Sequence, residues 1–418
     1  MLLFGGLLLL SRLLEHVAER IKLPGMLLIL AMGLLFPDLL GNKETLITIG
    51  QAKSIANLGL VVILFYGGLT TRWSAMRHVF WPGLRMATLG CLITAGAATG
   101  LIYGLSYLHF DQQFVPILTD SAGVHYPADL PLALFLGAML CSTDATAVLA
   151  LLRPIASSIP RKLLNLIECE SGLNDPVAVI LAGVALALAK GQLEDPIHLV
   201  RDVVLEFGLG ALIGWAGACL GIFILSREHY LKPNSGSEAI CLALLMLSAA
   251  TAFLCGGSPL LCAYVMGCVI SNSDEIDCII ASEFAIINRA SEVVVLICLG
   301  LVVFPGDVWP LKFYAFLVFV ITMVSRLLMT FIALHRSPFE ASEKGFSAFA
   351  GLRGAVPIAI ALEAAASPVA WGPLMPAFAL AVVLYGLVFQ GYLLPAAADL
   401  LAKTIKSPAD LALKEQSS

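Results

Sequence analysis

The stretch Glu170-Ser171-Gly172-Leu173-Asn174-Asp175-Pro176 decides how the chain reads, because it lies inside an otherwise apolar run from about Arg161 to Lys190. At helical spacing Glu170 and Asn174 are four apart, as are Ser171 and Asp175, so the four polar groups form one stripe on one face. A carboxylate at the centre of a membrane-length apolar helix costs at least about 2.5–3.5 kcal/mol to insert. Two acids so close together therefore need a partner, a cation or a proton. Pro176 removes a backbone donor, which leaves the Gly172 carbonyl without its helical partner at the same level. A polar stripe beside loosened backbone is what a small-cation site in a bilayer requires.

The surrounding composition agrees with a bilayer setting. Of 418 residues 59% are hydrophobic and 13% charged, with a mean hydropathy of +0.94. A soluble protein would carry about a quarter charged residues, so this chain reads as an integral membrane protein. Its net charge of −5 says little, since in a membrane protein the distribution of charge matters more than the sum. The ten cysteines sit mostly in apolar runs without a CxxC spacing and read as small hydrophobes, with neither a disulfide framework nor a metal cluster. Residues 1–10 look like a signal h-region. However, Arg12, Glu15 and Arg20 follow them where a small-residue cleavage site would stand, so they count as the first membrane segment.

At about twenty apolar residues per spanning helix, the chain divides into roughly thirteen segments. Their centres fall in 2–19, 24–36, 54–69, 83–107, 131–152, 163–189, 203–225, 238–254, 259–270, 279–304, 311–333, 345–366 and 374–402. With the N-terminus outside, about sixteen Lys and Arg fall in inside loops and the tail, against about five outside. That asymmetry predicts N-out and C-in, with the acidic 109–129 loop outside. No stretch has room for a folded soluble module, so regulation by a cytosolic domain of this chain is not expected.

Two segments carry interruptions. Cys141-Ser142-Thr143-Asp144-Ala145-Thr146 breaks the fifth with a small polar cluster; Gly351-Leu352-Arg353-Gly354-Ala355-Val356-Pro357 breaks the twelfth with two glycines and a proline. The two are an odd number of segments apart and so run in opposite directions. That arrangement points to an inverted-repeat transporter with its site where the broken helices cross. Asp144 and Arg353 lie at similar depth. There Asp144 suits half-helix N-termini or direct cation ligation, and Arg353 suits C-termini. By depth Arg326 reaches Glu170, giving an expected Glu170–Arg326 pair that leaves Asp175 unpaired. Arg353 stays open as the alternative partner, and either pairing has a purely helix-holding reading. Thr143 and Ser171 are read either as ligands or as hydroxyls bonding the carbonyl a turn back. Glu292, Glu363 and Asp399 are read as solvated groups near segment ends, and the histidines as loop residues.

Taken together, Ser142-Thr143-Asp144, the 170–176 motif, an intramembrane Arg326 and the 351–357 motif resemble the monovalent cation/proton antiporters. The closer resemblance is to their NhaP-like branch, related to eukaryotic sodium/proton exchangers. It extends over essentially the whole membrane region. It implies an all-α, NhaA-like antiporter fold of about thirteen transmembrane helices, with inverted repeats and two crossed discontinuous helices, assembled as a homodimer. Residues 83–190 and 308–402 would form the ion-transporting bundle, 1–82 and 196–304 the dimerisation scaffold, and 403–418 a short cytoplasmic tail. By motif, Asp175 is the ion- and proton-binding carboxylate. Thr143, Asp144 and Ser171 add ligands directly or through water, Asn174 supports the site, and Glu170 is held by arginine. Gly351, Gly354, Pro357 and Pro176 provide the helix breaks. Asn-Asp in place of the Asp-Asp of electrogenic relatives implies electroneutral one-for-one exchange.

The expected chemistry is competition of a proton and a sodium ion for Asp175, combined with rocking of one bundle past the other. Potassium is the alternative substrate and lithium a further candidate, because carboxylate, hydroxyl and carbonyl ligands do not separate them. The expected surroundings are the lipids of the inner cell membrane, with no cofactor and no nucleic acid. An intramembrane aspartyl protease using Asp144 and Asp175 would need a Gly-x-Gly-Asp run, which the sequence lacks. A channel would need a continuous pore, which acid–arginine pairs obstruct.

Overall fold

Within a bilayer each backbone amide and carbonyl must find its partner inside the protein, and helices satisfy that requirement segment by segment. The computed structural model describes residues 25–39, 47–107, 129–191, 196–226, 237–273, 277–303 and 305–405, together with residues 10, 13, 14, 118, 119, 123, 125 and 126. Among these, eight helices are long and apolar enough to cross a membrane, and four more are shorter apolar helices. The first expected segment, at 2–19, lies outside the described residues except for Leu10, Leu13 and Leu14, as does the tail beyond residue 405.

In chain order come α1 (Gly25–Leu39), α2 (Ile49–Thr70) and α3 (Cys91–Tyr107), the last continuing from Phe80–Arg85 through a π-helical turn at Met86–Gly90. A two-stranded ladder pairs Leu118 with Tyr126 and Thr119 with His125. Then follow α4 (Leu130–Met139), α5 (Ala145–Leu152), α6 (Arg161–Ala189), α7 (Pro196–Leu225), α8 (Ser237–Leu254), α9 (Pro259–Ser271) and α10 (Asp277–Val302). The last five are α11 (Pro305–Ala333), α12 (Ala341–Phe349), α13 (Ala355–Ala365), α14 (Met375–Tyr385) and α15 (Tyr392–Ile405). Side-chain caps set several starts. The Thr48 hydroxyl accepts from the Gln51 amide while Gln51 Oε1 accepts from the Thr48 amide, closing a capping box on α2. Asp129, the one described acid of the 109–129 loop, accepts from the Leu132 amide at 2.9 Å with Pro131 behind it.

The helices pack in two groups. In the first, α2 lies against α9 and α10, α1 against α10, and α7 against α8 and α9. Small residues allow the closest approach: a Cβ built on Gly68 would stand 3.0 Å from the Gly267 Cα. In the second, α3 lies on α4, α4 on α6, α11 on α3 and α14, α12 on α11 and α15, and α13 on α14. The half-helix α13 also rests on α2 and α10 and so meets the first group.

Both expected interruptions are present and they cross. The α4–α5 segment is open over residues 140–144, the α12–α13 segment over 350–354, and the Asp144 amide donates to the Leu352 carbonyl at 2.8 Å between them. At this crossing the glycines are needed for space. A Cβ on Gly351 would strike the Arg326 guanidinium, and one on Gly354 would strike the Asp144 carboxyl. Gly351→Ala is therefore expected to destabilise the protein by about 1–3 kcal/mol through overpacking. The check is the thermal midpoint of the purified protein in detergent, which should fall; an unchanged midpoint contradicts the crowding.

Candidate functional site

Two helices that stop at mid-membrane leave orphan amides at their N-terminal ends and orphan carbonyls at their C-terminal ends. The intramembrane charges are distributed over these four ends by sign. At the N-terminus of α5, Asp144 Oδ1 accepts from the Thr146 amide at 2.9 Å and the Ala147 amide at 3.2 Å, and from the Thr146 hydroxyl at 2.6 Å. The same carboxyl lies against Gly354, at the start of α13, so one negative charge serves both positive helix ends. At the C-terminus of α4, Arg353 Nε donates to the Leu140 carbonyl at 3.3 Å. Thr322 of α11 and Gln390 of the π-helical turn Gly386–Gly391 hold the rest of that guanidinium. At the C-terminus of α12, Arg326 Nε donates to the Ala348 carbonyl at 3.0 Å, and Gln390 Nε2 donates to the Phe349 carbonyl at 3.0 Å.

Arg326 also settles the partner of Glu170. Its Nη1 and Nη2 donate to the two carboxylate oxygens at 2.8 and 3.1 Å, a bidentate pair with both residues buried. Arg353 takes no part in that pair. Lengthwise along α6, the next polar residues brace the first interruption. The Ser171 hydroxyl donates to the Thr143 carbonyl at 2.6 Å and accepts from the Ala145 amide at 2.9 Å, so it serves the neighbouring segment and not its own helix. Asn174 Nδ2 donates to Thr143 Oγ1 at 2.8 Å, and Asn174 Oδ1 accepts from the Thr143 amide at 3.4 Å. Pro176, expected to break its helix, does not: it stays inside α6, which is helical from Arg161 to Ala189.

Asp175 is different. It is 9% exposed, its Oδ1 is buried, and among the described residues that oxygen meets no hydrogen-bond donor. Asp144 and Cys141 are near enough to act on it electrostatically. An unpaired carboxylate in such a place is costly unless a proton or a cation joins it. Thr143 and Ser171 thus come together on the open backbone of the first interruption, with Asn174 bonded to Thr143, and Asp175 follows one turn after Ser171 on α6. Pro357 lies in the first turn of α13, beyond the second interruption.

A second expectation is overturned. Glu292 is not a solvated residue near a segment end: α10 continues through Arg289, and Glu292 sits in its middle at 4% exposure. There its Oε1 accepts from Asn288 Nδ2 at 2.7 Å and lies 3.2 Å from the Thr146 hydroxyl. Glu363 is partly exposed and pairs with Lys53 at 2.8 Å, while Asp399 is exposed. Sequence reasoning missed Gln390 and Thr322, neutral residues in apolar runs, and Glu292. The signal for Glu292 was its i, i+4 spacing from Asn288 inside a helical apolar pattern.

The chain can be set beside known proteins. The family described as "Sodium/hydrogen exchanger, transmembrane" matches residues 5–399. A K(+)/H(+) antiporter NhaP2 of Shewanella sp. (strain ANA-3) is 30% identical over 409 residues, which cover 95% of this chain and 66% of that protein. The chain therefore spans just under two thirds of the length of that relative. An Na(+)/H(+) antiporter NhaP of Pseudomonas aeruginosa is 26% identical, covering 93% of this chain and 94% of its own. The structure of the sodium proton antiporter MjNhaP1 from Methanocaldococcus jannaschii matches with a TM-score of 0.76 at 21% identity, over 96% of this chain and 97% of that one. That likeness is one of fold, and the fold is the one expected from the two crossed discontinuous helices.

The buried Glu170–Arg326 pair gives a direct expectation. Arg326→Gln leaves a buried carboxylate uncompensated and two carbonyls of α12 without donors, and should cost about 3–5 kcal/mol. Joining it with Glu170→Gln should recover part of that loss, read from the thermal midpoints of the four proteins of the cycle. A double variant no more stable than Arg326→Gln alone contradicts the pairing.

Proposed function

The chain belongs to the sodium/hydrogen exchanger transmembrane family, and on that premise we propose that it is a secondary transporter exchanging sodium for protons. The observation that carries the proposal is the contrast among the intramembrane charges. Glu170, Arg326, Arg353 and Asp144 are engaged with each other or with helix ends, whereas a buried oxygen of Asp175 meets no donor among the described residues. One carboxylate with two possible occupants is the minimum device for coupled antiport. A proton neutralises it on one side of the membrane, a cation on the other, and only an occupied carboxylate crosses at low cost.

In this proposal the cation is held by Asp175, the Ser171 hydroxyl and Thr143, whose carbonyl keeps a second lone pair beside its bond from Ser171. Asn174 fixes Thr143 in place. Asp144 contributes through its charge, because its Oδ1 is taken up by the start of α5. Exchange is one for one and electroneutral, since the motif offers a single unpaired acid. Potassium is a second reading, favoured by the K(+)/H(+) names of the Shewanella relatives. Residues 83–190 and 308–402 form the moving bundle, and residues 1–82 and 196–304 form the scaffold of a homodimer. The protein is a multi-pass membrane protein. We place it in the inner cell membrane with the N-terminus outside and the C-terminus in the cytoplasm, on the distribution of Lys and Arg.

Asp175→Asn should abolish exchange while leaving the protein folded and inserted. In proteoliposomes carrying a pH gradient, sodium, potassium and lithium added in turn should dissipate the gradient with the wild-type protein and not with the variant. Dissipation by the variant at the wild-type rate contradicts the proposal.

A further inference from the structure

The mechanism just given leaves the buried acid Glu292 unused. Glu292 belongs to α10, which packs with the first helix group, yet its carboxyl meets Thr146 of the interrupted segment in the second. Thr146 is the residue whose hydroxyl also lies 2.6 Å from Asp144 Oδ1. A hydroxyl carries one hydrogen. It cannot fully satisfy two carboxylates at 2.6 and 3.2 Å, and two ionised acids around it would repel each other. The conflict disappears if Glu292 holds a proton. Its O–H then donates to Thr146 Oγ1, the Thr146 hydroxyl donates to Asp144, and Asn288 Nδ2 donates to Glu292 Oε1. Every hydrogen in the chain then has one acceptor.

We propose that Glu292 is a second proton-binding carboxyl, separate from Asp175, which in its neutral form ties the scaffold to the interrupted helix through Thr146 and holds this conformation. Loss of the proton puts two like charges on either side of one hydroxyl, breaks the tie and frees the bundle to move. The proposal rests on the antiport reading for what the tie regulates, but not for the protonation itself.

Charged and titratable groups surround Glu292. Facing it are Asp144 from the interrupted segment and Tyr66 from α2, whose phenol also lies in the field of the half-buried Glu168 of α6. Arg289, three residues back on the same helix, is a near neighbour whose charge acts on Glu292, but it does not supply the hydrogen that the contact with Thr146 lacks. Glu363 of α13 is paired with Lys53 of α2, Tyr264 of α9 is bonded to Thr71, and Tyr385, which follows on α14, donates to the Lys312 carbonyl. Glu238 of α8 lies in the first turn of that helix.

The test uses the full chain and the variants Glu292→Gln and Thr146→Ser. Gln is permanently neutral, and its side-chain amide donates to Thr146, so the tie no longer responds to pH. In infrared difference spectra of the purified protein between acid and alkaline buffer, Glu292→Gln should remove a protonated-carboxyl band, and Thr146→Ser should retain it. In proteoliposomes the wild type should speed up from acid to alkaline pH. Glu292→Gln should lose at least about fivefold of its alkaline rate, the lower end for linked sites, with little change at acid pH and in the cation KM. Thr146→Ser should keep the wild-type profile. A Glu292→Gln protein with the full set of carboxyl bands, or one with an unchanged pH profile, overturns the proposal. A wild type that exchanges no cation overturns the antiport reading instead, while the infrared result still decides whether Glu292 carries the proton.

Discussion

Helix ends in a low-dielectric slab are the constraint from which the rest of this structure follows. Four such ends meet where α4–α5 crosses α12–α13, two presenting amides and two presenting carbonyls. Each needs opposite charge, and three receive it from a residue of another segment: Asp144 for Gly354 at the start of α13, Arg353 for Leu140, Arg326 for Ala348. The fourth, the start of α5, is capped by Asp144 of its own segment. This reciprocity makes the two interrupted segments one unit. It also explains why glycine stands at 351 and 354, since any larger side chain would occupy the volume that the compensating charges fill.

Once those charges are committed to backbone, little remains for Asp175. Glu170 takes both terminal nitrogens of Arg326, and Arg353 is held by Leu140, Thr322 and Gln390. Among the described residues the buried Asp175 oxygen meets no donor, although Ser171, Asn174 and Thr143 near it are bonded to one another. Ser171, one turn before it on α6, is bonded to the Thr143 carbonyl, and Asn174 holds Thr143 in place. A stable frame with one unsatisfied acid is a suitable arrangement for binding a small cation reversibly: the frame need not reorganise when the occupant changes.

Much of this was legible in the amino-acid sequence because charges in apolar runs are expensive and therefore rare. Asp144, Glu170, Asp175, Arg326 and Arg353 stand out for that reason, and glycines and a proline beside Arg353 mark a broken helix. The opposite orientation of the two breaks follows from counting segments. Neutral polar residues are harder to read. Gln390 and Thr322 cost little in a membrane helix and give no hint that they hold a guanidinium. Ser171 looks like a hydroxyl bonded to its own helix until the neighbouring segment is in place. Glu292 was misplaced because Arg289, three residues before it, suggests a loop, whereas α10 runs through both.

The central claim is that a cation and a proton exclude one another at Asp175. It is tested most directly by measuring the protons released when sodium or potassium is added to the purified protein in weakly buffered solution. Competition predicts about one proton released for each cation bound at a pH where Asp175 is protonated, and none from Asp175→Asn. Cation binding without proton release, or release that persists in the variant, would contradict it.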